Sequence, residues 1–402
     1  MNILFVCRLP FTPFSGGIER FSLEIGKQFE SDGNKVYYLS QSRELQNALG
    51  NPFVIKQYFL PDTEDISGKE NVNYALSLVE MYNIDILFNQ QGDSLPFTQL
   101  CYAVKCSSST KLVSILHFSP LHILANNRAS ISDILSSGLS FKNKLLFAFK
   151  NVCIAKQFIL CRKTRILQKS FRQSYDMSDA FVLLSDYFKK DFIRIADIEN
   201  SDKLFAIPNP LTTVNSTEVS SAKGNILLFV GRLTFEQKRP DWVIKIWKKL
   251  YKDFPDWTFI VLGDGYYRSS LEELIKKEAL ERIELVGYKN PMDYYKKAKI
   301  FCMTSNTEGW PLVIQEAAHN RIPSLAFDSY SSVHQVILDG ETGYIIPLFS
   351  VGEYVEKLRF LMSNDQQLKK LSENAYQYSL TFTIDKITRK WYDLFHKMLI
   401  NK

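Results

Sequence analysis

The chain alternates short apolar runs with longer stretches whose apolar residues recur at helical spacing. Many of the runs are rich in Val, Ile and Phe without polar alternation, which is typical of parallel strands covered by helices on both faces. The predicted strands are Ile3–Cys7, Val36–Leu39, Ile84–Phe88, Leu112–His117, Phe181–Ser185, Leu204–Ile207, Ile226–Val230, Phe259–Leu262, Ile283–Val286, Ile300–Thr304 and Ser324–Phe327. They fall into two consecutive sets, which predicts an α/β fold with two doubly wound parallel sheets.

The polar, turn-rich stretch Pro208–Asn225 separates the two sets. We therefore predict a first domain over 1–210 and a second over 211–380, facing each other across a cleft. The segment 381–402 contains an amphipathic, aromatic helix over about Ile384–Leu399, which is predicted to pack back on the first domain. In open parallel sheets, ligands bind beyond the carboxyl ends of the strands, so the loops that follow strands are the candidates for chemistry.

Composition narrows the class of protein. Hydrophobic residues make up 46% and charged residues 23%, as in globular chains. There is no apolar run long enough to span a membrane, and the five apolar residues before Arg8 are too few for a signal-peptide core. The six cysteines are scattered without a Cys-x-x-Cys pair, which favours a reducing cytoplasm and predicts no zinc site.

The loop after the predicted strand Ile226–Val230 carries two cations. Gly231 permits a tight exit from the strand, and Arg232 and Lys238 lie on either side of the loop that leads to the next helix. Arginine can bind a diphosphate through its planar fork and lysine as a point charge. A solvated basic loop would have the same sequence, so both interpretations stay open at this point.

The next strand ends in a glycine-rich turn that begins at Gly263. It is not the dinucleotide-binding pattern G-x-G-x-x-G, because Arg268 stands where the third glycine should be. The turn is a weak signal for a nucleotide, and an NAD-dependent enzyme is disfavoured.

The segment 305–319 reads SNTEGWPLVIQEAAH. Proline is favoured at the first position of a helix, so a helix is predicted from Pro311 to about Asn320. Its first N–H groups, near Leu312 and Val313, would be free to bind a phosphate.

Two glutamates eight positions apart belong to this segment. Glu308 lies in the loop before the helix, where it could reach a sugar hydroxyl, and Glu316 lies inside the helix, where it could accept hydrogen bonds from a ribose diol. The alternatives are that Glu308 caps the helix and that Glu316 is on a solvated face. Because Glu316 is flanked by apolar residues, and a buried acid without a partner is costly, a ligand role is favoured.

The first domain offers two weaker candidates. Gly16 and Gly17 follow the first strand and would let the backbone approach a ligand at the start of a helix, or they only form a turn. His117 ends a predicted strand, at the edge where ligands bind, but a single histidine is equally consistent with a structural role.

Together these loops resemble the retaining glycosyltransferases of the GT-B fold, family 4. The resemblance covers nearly the whole chain in the right order, and the pair Glu308-x7-Glu316, with Glu308 in the setting Glu-Gly-x-x-Leu, is its most specific element. The other matching positions are Gly16-Gly17-x-Glu19-Arg20, His117, Ser185, Ile207-Pro208-Asn209, Gly231-Arg232-Leu233, Lys238, Gly263-x-Gly265 and Asp339-Gly340-x-x-Gly343.

The resemblance implies roles for the candidate residues. Arg232 and Lys238 would hold the diphosphate of a nucleotide sugar and stabilise the charge of the leaving group, with Gly17 against the diphosphate. Glu316 would bind the ribose, and Glu308 and His117 would contact the donor sugar. No metal or other cofactor is implied, and no Asp-x-Asp motif occurs. Retention by same-face attack or through an ion pair stays open.

One stretch departs from the family pattern. Where members commonly have two glycines and a glutamate, this chain has Ser331, Ser332 and Gln335. The departure puts one donor contact in doubt. The surrounding sequence resembles the branch that builds bacterial surface polysaccharides, which implies a UDP-linked hexose or N-acetylhexosamine as donor and a glycan or lipid-linked acceptor.

A basic segment accounts for the net charge of +6. Residues 134–175 contain nine Lys and Arg and no acid, and the most basic part, 141–172, mixes these cations with apolar side chains. It is predicted to be a basic amphipathic helix on an anionic membrane surface. A helix with a solvated basic face is the alternative, and nucleic acid is disfavoured because aromatics are not interleaved for stacking. A lipid-linked acceptor would explain the segment, which predicts a cytoplasmic enzyme peripheral on the plasma membrane.

Two other functions stay open on the sequence alone. A nucleotide-sugar epimerase of the GT-B fold would need no acceptor and no basic segment. A non-catalytic scaffold of a polysaccharide-synthesis complex would be expected to lose Lys238 or one of the two glutamates, and this chain retains all three.

Overall fold

The computed structural model describes residues 1–12, 17–41, 55–122, 142, 144, 145, 153–211 and 223–400. The chain divides into two compact units. The first comprises Met1–Pro120, Thr164–Thr212 and Phe382–Lys402, and the second comprises Leu121–Lys163 and Thr213–Thr381. Gly16 and most of the basic stretch 141–152 lie outside the described residues.

The first unit contains a parallel sheet of seven strands. They are β1 (Asn2–Cys7), β2 (Lys35–Ser40), β3 (Tyr58–Phe59), β4 (Ile86–Asn89), β5 (Lys111–Leu116), β6 (Ala180–Leu183) and β7 (Leu204–Ala206). Their order in the sheet is β3-β2-β1-β4-β5-β6-β7. The central strands are buried along nearly their whole length, because helices cover both faces of the sheet.

Before residue 211, the helices whose bounds the structure describes are α1 (Gly17–Ser31), α2 (Lys69–Tyr82), α3 (Leu95–Cys106), α4 (Cys153–Met177) and α5 (Lys189–Ala196). The C-terminal helix, α13 (Ile384–Ile400), belongs to the first unit and packs on α1. Its Trp391 ring lies 4.8 Å from that of Phe88 in β4, and its Phe395 ring lies 5.8 Å from that of Phe29 in α1. These rings fix the helix to the sheet through buried aromatic contacts.

The second unit contains a parallel sheet of six strands. They are β8 (Ile226–Val230), β9 (Thr258–Leu262), β10 (Ile283–Gly287), β11 (Ile300–Met303), β12 (Ser324–Phe327) and β13 (Gly343–Ile346), in the order β10-β9-β8-β11-β12-β13. Its helices are α6 (Asp241–Trp247), α7 (Arg268–Lys277), α8 (Met292–Tyr295), α9 (Leu312–His319), α10 (Val333–Val336), α11 (Val351–Met362) and α12 (Asp365–Ser379).

The two parallel sheets confirm the predicted α/β fold class. Two strands were not predicted: β3 has only two residues, and β13 begins at a glycine directly after a turn. The predicted helix from Pro311 begins one residue later, at Leu312. Within the described part of the chain, no helix combines the length and apolar character that crossing a bilayer requires.

Candidate active site

The order of the second sheet reverses between β8 and β11. These strands are neighbours in space although they are separated by two strands along the chain. Ligands of open parallel sheets bind beyond the carboxyl ends of the strands at such a point. The loop after β8 carries Arg232 and Lys238, and the loop after β11 carries Glu308.

Hydrogen bonds hold these two loops against each other. The Asn306 N–H donates to the Gln237 carbonyl at 2.7 Å, and the Thr304 hydroxyl donates to the Lys238 carbonyl at 3.0 Å. Because the bonds use backbone carbonyls on either side of the Lys238 side chain, they fix the position from which that side chain projects.

Lys238 and Glu308 form an ion pair across the two loops. The Lys238 Nζ lies 2.6 Å from Glu308 Oε1, and the two side chains are only 15% and 9% exposed. Lys238 is therefore not a solvated side chain, and the residue at the N-cap of the helix is Pro311, not Glu308. Arg232 of the same loop is exposed.

A second ion pair lies directly behind Lys238. Arg239 is fully buried, and its Nε and Nη2 donate to the two carboxylate oxygens of Asp241 at 2.9 and 2.8 Å. Its backbone has a φ of 48°, in the left-handed region that few non-glycine residues adopt. The bidentate pair and the strained backbone together determine how the chain passes from Lys238 into α6.

Glu316 is buried, but it has a partner within the protein. The Tyr295 hydroxyl, from α8, donates to Glu316 Oε2 at 3.0 Å. The alternative in which Glu316 lies on a solvated face is therefore wrong, and its ligand role stays a prediction. The phenol fixes one carboxylate oxygen, and a carboxylate has capacity for further hydrogen bonds.

The backbone of the glycine turn after β9 packs closely against the backbone of the loop after β8. A Cβ atom at Gly263 would lie 1.9 Å from the Gly231 carbonyl oxygen, and one at Gly265 would lie 2.4 Å from the Leu233 carbonyl oxygen. Gly263 also has a φ of 135°. Only glycine fits there, so this turn supports the loop that carries Arg232.

The start of α9 differs in detail from the prediction. Gly309 is half-buried, and Pro311 is the residue that precedes the helix. The N–H of Leu312 is not free, because it donates to the Trp310 carbonyl at 2.9 Å. Val313 follows as the second residue of the helix.

The candidates of the first unit lie in the loops after its own strands. Gly17 is the exposed first residue of α1, and no atom of the described residues lies within 4 Å of the position that its Cβ would take. His117 directly follows β5 and is buried, with its Nε2 2.9 Å from Oε1 of Gln90, which follows β4. The Nε2 of Gln90 is buried without a hydrogen-bond partner among the described residues.

Burial determines the protonation of His117. Desolvation lowers the pKa of its imidazole to about 3, from the ordinary 6.5. The Phe21 ring contacts it edge-on at 5.3 Å. At neutral pH His117 is therefore an uncharged group that can exchange hydrogen bonds but supplies no positive charge.

Sequence reasoning missed three residues of these sites. Gln90 could have been found, since it follows an apolar run at a strand end. The sequence gives no signal for Tyr295 and Arg239, because only the packing of helices and loops in the folded chain brings them to their partners. Among the described residues, no three His, Cys, Asp or Glu side chains are grouped so that they could hold a metal ion.

Comparison with known proteins relates this geometry to a family. Residues 215–378 match the family of glycosyl transferases group 1. The matched range contains Arg232, Lys238, Glu308 and Glu316, and thus the candidate site of the second unit.

Two relatives are similar to this chain over both units. An uncharacterized glycosyltransferase of Haemophilus influenzae is 29% identical over 350 residues, which is 83% of this chain and 98% of the relative. The amylovoran biosynthesis glycosyltransferase AmsD of Erwinia amylovora is 26% identical over 340 residues, 81% of this chain and 91% of the relative.

A solved structure shows the same fold over the whole chain. The pneumococcal O-GlcNAc transferase GtfA, in complex with UDP and GlcNAc, superimposes with a TM-score of 0.69 at 14% identity, covering 99% of each chain. The fold is GT-B. The comparisons support a glycosyltransferase of this type in polysaccharide biosynthesis.

Proposed function

We propose that this chain is a retaining, metal-independent glycosyltransferase of family 4. It transfers a hexose or N-acetylhexosamine from a nucleotide-diphosphate sugar, with UDP as the nucleotide, to a glycan or lipid-linked acceptor of a bacterial surface polysaccharide. The match over residues 215–378 and the similarity to AmsD support the class of reaction and the pathway.

One observation carries the proposal: the half-buried Lys238–Glu308 pair where the second sheet reverses its order. An ammonium has three donors, so Lys238 can bind Glu308 and a phosphate oxygen at the same time. Charge that develops on the departing diphosphate is stabilised by a cation whose position is fixed beforehand. The exposed Arg232 supplies a second cation in the same loop, and Glu308 accepts hydrogen bonds from the sugar.

Glu316 is assigned to the ribose. Tyr295 binds one of its oxygens and holds the carboxylate in position, and a carboxylate oxygen can accept more than one hydrogen bond, including one from a diol. UDP is favoured as the nucleotide because GtfA, similar over the whole chain, was solved with UDP. His117 is assigned a role toward the sugar as a neutral hydrogen-bonding group, because burial keeps it uncharged.

The membrane surface is the proposed location of the acceptor. On the described part of α4, Arg162, Arg165, Lys169 and Arg172 are exposed, and their spacing of three to four residues puts them on one helix face. Ile166 lies among them and is 59% exposed. Cations around an exposed apolar side chain match an anionic lipid surface, where each contributes about 1 kcal/mol.

Donor binding is tested by thermal unfolding of the purified chain with UDP-, GDP- and ADP-sugars, with and without EDTA. A ligand at 100 times its dissociation constant adds about 2.7 kcal/mol of stability. Stabilisation by one UDP-sugar that EDTA leaves unchanged is expected, with loss in Lys238→Ala and Glu316→Ala. Lys248→Ala is the matched control, since Lys248 forms an exposed pair with Glu278. Lack of stabilisation by every donor would contradict the proposal.

Product analysis separates transfer from isomerisation. A transferase consumes the UDP-sugar only when an acceptor is present and releases UDP. If the sugar is converted to an epimer without acceptor, the chain is an epimerase and the proposed reaction is wrong.

Membrane binding is tested by sedimentation with vesicles of phosphatidylglycerol or phosphatidylcholine. Binding to the anionic vesicles only, weakened by salt, is expected. The double variant Arg165→Glu/Lys169→Glu should abolish it. Lys276→Glu/Lys277→Glu, which makes the same charge change on α7, should not. Equal binding to both lipids would exclude the electrostatic mechanism.

A further inference from the structure

Two hydroxyl groups in the loops after β11 and β12 are buried without a partner. Thr307 is 3% exposed and Tyr330 is 5% exposed, and neither Thr307 Oγ1 nor the Tyr330 phenol oxygen has a hydrogen bond within the described residues. Buried polar atoms are nearly always hydrogen-bonded, because losing water without a replacement is costly. Two such atoms in adjacent loops point to a ligand that supplies the missing bonds.

Both hydroxyls belong to the surroundings of Glu308. Thr307 directly precedes it in the chain. The loop after β12 is held to the loop after β11 because the Ser329 hydroxyl donates to the Ser305 carbonyl. Burial and, to a lesser extent, the negative charge of Glu308 raise the pKa of the Tyr330 phenol well above its ordinary value. The phenol therefore stays protonated, so it can both donate and accept.

We propose that Thr307 and Tyr330 form a subsite that binds the hydroxyl or acetamido groups of the donor's sugar beside Glu308, and that these two residues select which sugar is transferred. The inference rests on the proposed function and specifies its donor site.

The chemistry of the subsite favours the sugar over the diphosphate. The oxygens of an ionised diphosphate only accept hydrogen bonds, and they cannot donate to the Glu308 carboxylate. Sugar hydroxyls both donate and accept, which matches Thr307, Tyr330 and the carboxylate together. Cations for the diphosphate are provided separately by the loop after β8, through Lys238 and Arg232.

The subsite coincides with the stretch where the sequence departs from the pattern of family 4. Tyr330 is followed by Ser331 and Ser332 in place of the usual glycines, and by Gln335 in place of the glutamate. Tyr330 therefore lies directly before the stretch in which the resemblance to family 4 is weakest.

The test compares the affinity for UDP with that for UDP-sugars, by calorimetric titration of the full chain. Tyr330→Phe and Thr307→Val each remove one hydroxyl and keep the volume. We expect the affinity for UDP to be unchanged in both variants. The additional affinity that the preferred sugar gives in the wild type should fall about five- to tenfold per variant, as expected for one lost hydrogen bond.

Thermal unfolding without ligand gives the second readout. Removing a hydroxyl that has no partner should leave the melting temperature unchanged or raise it. Tyr354→Phe is the matched control in the same unit, since its buried hydroxyl donates to the Leu325 carbonyl at 2.7 Å and accepts from the Met303 N–H at 3.1 Å. This control should unfold at a lower temperature and keep the full preference for the sugar.

The outcomes separate this inference from the proposed function. If the wild type binds a UDP-sugar more tightly than UDP and both variants keep that difference, the subsite is wrong and the proposed function stands. If no sugar adds affinity in the wild type, the subsite is also wrong. If the wild type binds no nucleotide at all, both are wrong.

Discussion

Replacing Asp241 by asparagine removes the counter-ion of a guanidinium that has no access to water. Arg239 is fully buried and donates two hydrogen bonds to Asp241, at 2.9 and 2.8 Å. Asparagine has the same shape without the charge, so Asp241→Asn takes the bidentate carboxylate away from a buried cation. Removing one partner of a buried ion pair costs about 3–5 kcal/mol.

The aromatic rings around Arg239 reduce this loss. The guanidinium carbon lies 4.8, 5.1 and 5.6 Å from the ring centroids of Phe235, Trp242 and Phe349. Each such contact stabilises a cation by about 0.5–2 kcal/mol, and the variant keeps all three. We therefore expect the lower end of the range, about 3 kcal/mol, which for a unit of this size lowers the melting temperature by roughly 6–12 °C.

Scanning calorimetry of the full chain measures the effect, and the double variant Arg239→Met/Asp241→Asn is its control. The double variant removes both charges, so it should recover most of the lost stability. The backbone strain at residue 239 is present in the wild type and in both variants, so its cost cancels when their stabilities are compared. A shift of less than about 3 °C in Asp241→Asn, or a double variant less stable than the single one, would refute the reasoning.

Three further predictions concern single side chains. Tyr295→Phe removes the hydroxyl that donates to Glu316, so we expect UDP to bind about five- to tenfold more weakly in a calorimetric titration. Initial rates at saturating donor should give an unchanged kcat. An unchanged affinity for UDP would contradict the role of this hydroxyl. Burial and, to a lesser extent, the charge of Arg321 lower the pKa of Lys223 to about 7. Between pH 7 and 10.5 this lysine therefore binds a proton in the unfolded chain but not in the folded one, so the free energy of unfolding should rise with pH. Melting temperatures at pH 7 and 9 should show that this rise is smaller in Lys223→Met. The imidazole of His117 stays neutral down to about pH 3 in the folded chain but takes up a proton near pH 6.5 in the unfolded chain, so the free energy of unfolding should fall as the pH drops below 6.5. Urea unfolding at pH 6.5 and 4.5 should show a smaller fall in His117→Phe.

The fold could be predicted because apolar runs mark buried parallel strands independently of tertiary detail. Ile226–Val230 and Ser324–Phe327 were predicted with their observed bounds. The strand β3 could not be predicted, since two residues carry no periodicity, and its pairing with β2 depends on the sheet already present.

The site could be predicted only as far as strand ends and glycines mark it. The positions of Lys238 and Glu308 follow from the loops after β8 and β11, but their ion pair joins residues 70 apart in the chain. The partner of Glu316 could not be predicted either, because Tyr295 lies 21 residues away in a helix of four residues. Long-range pairings of this kind are decided by packing.

The contact between Leu211 and Phe382 has a consequence for the connectivity of the first unit. The Leu211 N–H donates to the Phe382 carbonyl at 2.7 Å, although the two residues are separated by most of the second unit. The point where the chain leaves the first unit and the point where it returns are therefore adjacent. In topological terms, the segment between them is an insertion into a single domain. A short turn that joins residue 211 to residue 382 would therefore give a continuous chain in which the C-terminal helix keeps its aromatic contacts with the first sheet.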